Sequence, residues 1–393
     1  MIEAILVLNV GSSSIKFALY VAGTLERLCR GHIENIGDDG VAAHVEGTRA
    51  ADFGEIKLPA DVQDHAAAVR WLVERIRGSL ADVRISAAGH RVVHGGMDFA
   101  APVVVDEHVL AALGKLVPLA PQHQPSNLAA IHMVAETWPG LTQVACFDTA
   151  FHRSQPEHAQ WFALPRAFAA EGIIRYGFHG LSYDYLSSVL PQYAGDRADG
   201  RVVIAHLGQG ASLCALRDRR SVATTMGFTA LDGLMMGRRS GAIDPGVLLY
   251  LLQQRQMTAA AVEDLLYNHS GLLGVSGISD DLRVLEASGD PRAEEAMDLF
   301  AYRAGREIAA MAAALEGLDT LVFSGGIGEH SVQMRRRICA YSAWLGIRLD
   351  TDANARHASR ISAPDSGVNV FVIPTDEEIV VARATDRLRR SAV

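Results

Sequence analysis

Two stretches of this chain, about half its length apart, carry one pattern. Asn9-Val-Gly-Ser-Ser-Ser-Ile-Lys-Phe-Ala-Leu19 lies over His206-Leu-Gly-Gln-Gly-Ala-Ser-Leu-Cys-Ala-Leu216. At an offset of 197 residues, Gly11 falls on Gly208, Ala18 on Ala215 and Leu19 on Leu216. Each stretch reads as strand, small-residue turn, strand. Gly, Ala and Leu are common enough to match by chance, yet two hairpins opening two halves point to a duplicated domain. At 393 residues the chain has room for two domains. A ligand would then belong in the cleft between them. Short β-rich runs alternate with helical patterns elsewhere, which predicts an α/β fold. Strands are predicted at Ala4–Leu8, Ile15–Tyr20, Gln143–Phe147, Val202–His206, Ser212–Leu216, Thr320–Phe323 and Val368–Ile373. Helices are predicted at Gln63–Arg77, Pro125–Glu136, Tyr183–Leu190, Pro245–Gln254, Ala293–Leu315 and Val332–Trp344. In the first, Val69, Leu72, Val73 and Ile76 recur with helical spacing.

Composition narrows the function. Hydrophobic residues make up 49% and charged residues 21%, too apolar for a disordered chain. A net charge of −9 argues against general nucleic-acid binding. Cys29, Cys146, Cys214 and Cys339 form no CxxC pair, so neither a zinc site nor a disulfide framework is expected. The N-terminus lacks a basic segment before its short apolar run and reads as a strand rather than a signal peptide. No apolar run approaches the roughly 18–20 residues of a membrane span. The expectation is a cytoplasmic protein with neither membrane nor nucleic acid as partner.

Three glycine-rich turns stand out. In the first, Lys16 shares a strand face with Ser14 and, across the turn, with Ser12, while Ile15, Phe17 and Leu19 take the other face. A lysine beside a turn rich in free N–H groups suits a phosphate; a solvated lysine on a surface hairpin has the same letters. No Walker A lysine follows. The second, His206-Leu-Gly-Gln-Gly-Ala-Ser212, lacks the third glycine of a Rossmann loop. The third, Phe323-Ser-Gly-Gly-Ile-Gly-Glu-His-Ser331, follows a strand and precedes a helix, an arrangement that lets backbone approach a nucleotide.

Charged residues gather where strands end. Arg91 lies in the apolar and glycine-rich run Gly89–Gly96, where an anionic partner is needed, either a ligand or a structural acid. Asp148 directly follows an apolar strand, where α/β proteins bind ligands. His179 sits between glycines and aromatics, as a core hydrogen-bonder or as a proton or phosphate contact. Arg239 and its neighbour Arg238 lie between glycines. This set of cations with one acid suits phosphoryl transfer to a small anion, where catalysis is mostly positioning and charge neutralisation. Near the C-terminus, Thr375 as N-cap and Glu378 at N3 predict a capping box, so Glu377 is not needed for capping; Asp376 and Glu377 either complement the helix dipole or serve another role.

The ordered series NVGSSSIKF, HRVVHGG, LAPQHQPSN, CFDTAFH, RYGFHGLS, HLGQGAS, GRRSGAIDP, GISDDLR, GGIGEHS and IPTDEE resembles the acetate kinase family, of the acetate and sugar kinase/Hsp70/actin superfamily. The resemblance runs from Asn9 to the Thr375 region. It implies two duplicated ribonuclease-H-like (actin-like ATPase) domains with the active site in the interdomain cleft. Residues 1–148 with a C-terminal helix 375–393 would form the first, and residues 149–374 the second, which carries nucleotide binding and the contacts of a homodimer. The implied reaction is ATP + acetate ⇌ ADP + acetyl phosphate with Mg²⁺, or Mn²⁺ in its place. Asn9 and Glu377 would hold the metal, partly through water. Lys16, Ser12 and Ser14 would face the phosphates, with His123 in support. Arg91 would bind the acyl carboxylate beside Val93 and Phe178. Asp148 would be the essential acid, and His179 and Arg239 would neutralise charge on the transferring group. His206, Leu207, Gly208, Gln209 and Gly210, with Gly326, Ile327, Gly328, Glu329 and His330, would line the nucleotide. Asp281, Leu282 and Arg283 would contact the adenosine end. Acetate is already ionised near neutral pH, so an in-line transfer needs no strong base.

The chain departs from the family pattern at Gln209 for Asn, Arg238 for Thr, Ala242 for Asp and His330 for Asn, and near the acyl group at Gln122 for Leu and Ala230 for Pro. One methylene of substrate is worth about 1–3 kcal/mol in an apolar pocket. The expectation is therefore acetate first and propionate second. The alternatives are a propionate or butyrate kinase, an actin- or Hsp70-like ATPase that needs no acid site, and a catalytically dead nucleotide sensor. Retention of Asn9, Arg91, Asp148, His179, Arg239 and Glu377 argues against the last.

Overall fold

In the computed structural model, residues 1–11, 14–34, 36, 42–54, 59, 62 and 64–391 are described. They form two units, Met1–Phe151 with Asp376–Val393, and His152–Thr375. Each is built on one of the two repeated hairpins. The first unit contains β1 (Ile2–Val10), β2 (Ile15–Val21), β3 (Arg27–Glu34), β4 (Ala42–Glu46), β5 (Val83–Val92), β6 (Val103–Val104) and β7 (Thr142–Phe147), in the order β4-β3-β2-β1-β5-β7-β6. The second contains β8 (Val202–Leu207), β9 (Ala211–Arg217), β10 (Arg220–Thr224), β11 (Thr320–Ser324) and β12 (Asn369–Val372), in the order β10-β9-β8-β11-β12. Without β4 and β6 the two orders coincide. In each, three antiparallel strands are followed by two parallel ones. The duplication expected from the hairpins is present.

Alternation decides which side of the first hairpin is core. Ile15, Phe17 and Leu19 share an apolar cluster with Leu6, Leu8 and Val10. Val69, Leu72, Val73 and Ile76 close it from the helix His65–Ser79. Burial of each such side chain stabilises by about 1.5–3 kcal/mol. That helix starts where the Asp64 side chain accepts the Ala67 N–H; Gln63, its predicted start, lies outside the described residues. The other sheet face is covered by the C-terminal helix Glu377–Ser391. It packs so closely that a Cβ on Gly89 would come within 2.6 Å of Val381 Cγ1.

The predicted capping box is corrected by one residue. Asp376, not Thr375, caps the C-terminal helix, its Oδ1 accepting the Ile379 N–H at 3.0 Å. Thr375 is occupied in the second unit, its hydroxyl bonded to Ser182 Oγ at 2.9 Å and its N–H donating to Glu329 Oε1 at 3.2 Å. The third glycine segment also differs from the expected loop: Gly325–His330 is itself a short helix directly after β11. The following helix ends at Tyr341, and Ala343–Leu345 is a 3₁₀ turn. All four cysteines are free and buried. Among the described residues no helix is long and apolar enough to cross a membrane.

Candidate active site

In the first unit, neighbouring parallel strands bring their C-terminal ends together. Asn9 is the penultimate residue of β1, Arg91 that of β5, and Asp148 follows β7. This is where α/β sheets place ligands. Arg91 Nε donates to both Asp148 oxygens at 3.0 and 3.2 Å, and Nη2 donates to Oδ2 at 2.6 Å. Arg91 Nη1 donates to Asn9 Oδ1 at 2.9 Å, and Asn9 Nδ2 donates to Glu377 Oε2 at 3.3 Å. Arg91 is 17% exposed and Asp148 only 1%. Burial works against the charge on Arg91, but Asp148 and Glu377 outweigh it and keep the guanidinium charged. Of its five N–H groups these bonds use three among the described residues.

Lys16 stands opposite Asn9 in the β1–β2 ladder and is exposed. Ser14 is half-buried, and Ser12 lies outside the described residues. Glu378, predicted only as part of the cap, is a half-buried acid near Lys16; desolvation and the Glu377 charge raise its pKa. Among the described residues no three His, Cys, Asp or Glu side chains are grouped to hold a metal. Asn9, Glu377 and Asp148 offer hard oxygen donors, which fits a cation that keeps waters and phosphate oxygens as its other ligands.

Two amides missed by the sequence reading brace these strand ends. Asn127 Nδ2 donates to the Val10 carbonyl at 2.8 Å, and its Oδ1 accepts the Val93 N–H at 3.0 Å. Gln124 accepts the His94 N–H and donates to the His94 carbonyl. Both are buried on the helix Gln124–Thr137, for which His123 is the N-cap residue. The signal was their three-residue spacing in QHQPSN. Val93 is buried behind them, and Gln122 is half-buried.

In the second unit, His179 takes a left-handed conformation (φ 59°) immediately before the helix Gly180–Val189. Such backbone in a residue with a side chain persists only where surroundings enforce it. His152 helps to enforce it: its Nε2 lies 2.9 Å from the carbonyl of buried Phe178, and its Nδ1 lies 2.9 Å from Ser221 Oγ. Burial pushes the His152 imidazole down to about 4, so it stays neutral in this supporting place. His179 Nδ1 lies 2.8 Å from Ser212 Oγ, and its ring stacks on His206 at 4.4 Å.

Arg239 contrasts with Arg91. Its Nη1 donates to the Ala230 carbonyl at 2.6 Å, and no ion pair with an acid is found for it among the described residues. Burial pushes this guanidinium down to about 10, with only Tyr267 pulling the other way. Because the contact is to backbone, Ala230 serves it as well as another residue would. A Cβ on Gly210 would meet Arg239 Nη2 at 2.7 Å and His179 Nε2 at 3.2 Å, so the glycine leaves space that both groups face.

The glycine segments adjoin one another in this unit. A Cβ on Gly208 would lie 3.8 Å from the Gly326 N, while one on Gly326 would meet nothing within 4 Å. A Cβ on Gly325 (φ +76°) would meet the Leu207 carbonyl oxygen at 2.7 Å. Gln209 is exposed and its carbonyl accepts the Gly237 N–H. Ile327 is half-buried, Gly328 buried and His330 exposed. The Glu329 carboxylate turns back to accept the Gly325 and Thr375 N–H groups. Asp281 caps the turn Leu282–Glu286 and pairs with exposed Arg283, which lowers its pKa; Leu282 is buried. Arg238 pairs with Asp280 at 2.8 Å. Ala242 presents its carbonyl to Arg303.

Two units with one shared strand order, each an antiparallel hairpin sheet extended by parallel strands, give the actin-like fold of ATP-dependent phosphotransferases. The model of the Acetokinase family matches residues 4–383. An acetate kinase from Rhodopseudomonas palustris (strain TIE-1) is 55% identical over 99% of both chains. The crystal structure of Porphyromonas gingivalis acetate kinase superposes with a TM-score of 0.86 at 37% identity, covering 98% of this chain and 99% of that one. A propionate kinase from Francisella tularensis gives 0.90 at 34%, with the same coverage. The chain belongs to the acetokinase family, phosphotransferases with a carboxyl group as acceptor and ATP as co-substrate.

Proposed function

We propose that the protein makes acetyl phosphate and ADP from acetate and ATP, reversibly and by direct in-line transfer. A carboxylate oxygen of acetate forms the bond to the γ-phosphorus as the bond to the β-phosphate oxygen of ADP breaks. The observation that carries this reading is Arg239: a half-buried cation that meets no acid among the described residues calls for an anion, and it shares the space over Gly210 with His179. In this reading Arg239 and His179 neutralise charge on the transferring phosphoryl group, and the segments 206–210, 281–283 and 326–330 line the nucleotide. Arg91 binds the acetate carboxylate, while Asp148 fixes the guanidinium and orients the acid. Val93 and Phe178 are apolar neighbours for the acyl methyl, and Lys16, Ser12, Ser14 and His123 serve the phosphates. Asn9 and Glu377 are assigned to Mg²⁺, with Mn²⁺ as a substitute; the cation supplies neutralisation of phosphate charge.

The helix Pro245–Gln253 supports a homodimer. None of its residues is buried, and Val247, Leu249, Tyr250 and Leu252 are exposed together with Ile243. Four buried free thiols and an ATP/ADP couple fit a reducing cytoplasm. The domain division of 1–148 with 375–393, and 149–374, remains part of the proposal as the functional partition.

The test is the initial rate of acyl phosphate formation, trapped as hydroxamate, with MgATP and acetate, propionate or butyrate in parallel. The fastest kcat/KM with acetate is expected. A preference for propionate or butyrate would reassign the acyl pocket, and ATP hydrolysis without any acid would remove the acyl-site roles.

A further inference from the structure

Behind His179 runs a chain of hydroxyl groups that the proposed mechanism does not use. Tyr183 Oη lies 2.5 Å from Ser212 Oγ, and Ser212 Oγ lies 2.8 Å from His179 Nδ1. Tyr183 and Ser212 are both fully buried. We propose that Tyr183 and Ser212 are positioning residues that hold His179 as the neutral tautomer with its proton on Nε2, the nitrogen that faces Gly210 beside Arg239. This rests on the reading of His179 as a phosphoryl contact.

The direction of the protons follows from donor strength. A phenol is a better donor than an alcohol, and an alcohol the better acceptor, so the Tyr183 proton points to Ser212. The phenol oxygen also receives a backbone hydrogen bond from His206, which fits the same direction. Burial keeps Tyr183 protonated well above its ordinary range, so it donates at every working pH. Ser212, accepting from Tyr183, turns its own proton to His179 Nδ1. That nitrogen is then an acceptor, and the ring proton must be on Nε2. An imidazolium would put a second donor on Ser212 Oγ and displace the hydroxyl proton inside a buried site. It would also set a charged ring 4.4 Å from the centre of His206 and next to the Arg239 guanidinium. A neutral Nε2–H can bond a phosphoryl oxygen without adding to that crowding of cations.

His179 enters the opposite way from an ordinary helix-leading residue. Its left-handed backbone turns the imidazole towards β9, where Ser212 stands opposite His206 in the β8–β9 ladder. The neighbouring imidazole has its own partner, with His206 Nδ1 2.8 Å from Ser182 Oγ. Each ring of the stack is therefore held through its Nδ1 by a separate serine.

The experiment is ¹⁵N-histidine NMR of the whole protein at pH 7.5, with His179 identified by the signal lost in His179→Gln. A protonated Nε2 and an unprotonated Nδ1 are expected. A proton on Nδ1, or an imidazolium, would overturn the assignment. Ser212→Ala should mix the tautomers and lower kcat roughly ten-fold, with KM for ATP and acetate within about two-fold; Ser212→Thr should restore both. Tyr183→Phe, which removes one oxygen only, should mix the tautomers with a kcat loss of about three-fold. An unchanged kcat in Ser212→Ala would deny the chain any role in the reaction. Full activity in His179→Gln would instead remove the reading on which the proposal rests, whatever the tautomer.

Discussion

The two units share a strand order, but their arginines are in opposite electrostatic situations. In the first, Arg91 is held by Asp148, Asn9 and the charge of Glu377, and its pKa is raised. In the second, Arg239 is as deeply placed, has a carbonyl for company, and its pKa is pushed down to about 10. The hairpins diverge at matching places too. Asn9 in the first falls on His206 in the second, so one site reads amide and the other imidazole. Ile15, a core residue of the first hairpin, falls on Ser212, which reaches His179. Duplication supplied one scaffold twice; the strand-end residues then separated a preformed ion cluster from a cation left waiting for an anion.

The largest expected effect is on rate. Arg239→Ala should lower kcat on the order of 10²-fold or more, as for other losses of a charge-stabilising donor. Its unfolding free energy should stay level or rise, because a largely desolvated cation that meets no acid among the described residues is a cost to the fold. Arg91→Ala should do the reverse in stability, losing about 3–5 kcal/mol by taking the guanidinium away from the buried Asp148 carboxylate. Urea unfolding of both variants reads this directly, and equal losses would dissolve the contrast.

Gly210→Ala should come next. The added Cβ would press on Arg239 Nη2 and His179 Nε2. A displacement of about 1 Å can cost up to 10²-fold, so kcat should fall at least ten-fold, roughly, while the urea midpoint hardly moves. A variant with wild-type kcat would mean that the space over Gly210 is not where charge develops.

Acid should act on both units alike. His90, bonded to Gln143 Oε1 at 2.7 Å, and His152 are each pushed down to about 4 by burial. Folded pKa values below the unfolded value of about 6.5 mean that the unfolded chain binds more protons between pH 6.5 and 4. Stability is then full above pH 6.5 and falls by about 3 kcal/mol per histidine as pH drops to 4. Removing one imidazole should remove that share of the slope in unfolding measured against pH. The smallest effect is expected at the chain's return to the first unit: Asp376→Ala should cost about 1 kcal/mol as a lost cap, and Thr375→Ala should leave the C-terminal helix's stability unchanged.

Much of this was legible in the sequence where local pattern suffices. Both hairpins, the helix His65–Ser79 and the long helix Pro291–Ala314 follow from their periodicity and caps. β3 and β5 were not found, because Gly31 and Gly89 interrupt their patterns for tertiary reasons. A Cβ on Gly31 would strike the Phe17 ring at 2.6 Å, and one on Gly89 would strike the C-terminal helix. Asn127 and Gln124 look like ordinary helix-start amides until the strand ends they brace are in place. The cap moved to Asp376 because Thr375 is held by Ser182 and Glu329, remote in sequence. The charged residues were found, but their pairing was not, since only β5 beside β7 shows Arg91 committed to Asp148.

The most direct measurement is the matrix of initial acetyl phosphate formation rates over acetate and MgATP concentrations for wild type, Arg91→Ala and Arg239→Ala. Arg91→Ala should raise the acetate KM and leave the ATP KM near wild type, while Arg239→Ala should lower kcat. A wild-type acetate KM and kcat in Arg91→Ala, or undiminished turnover in Arg239→Ala, would contradict the division of the reaction between a paired and an unpaired arginine.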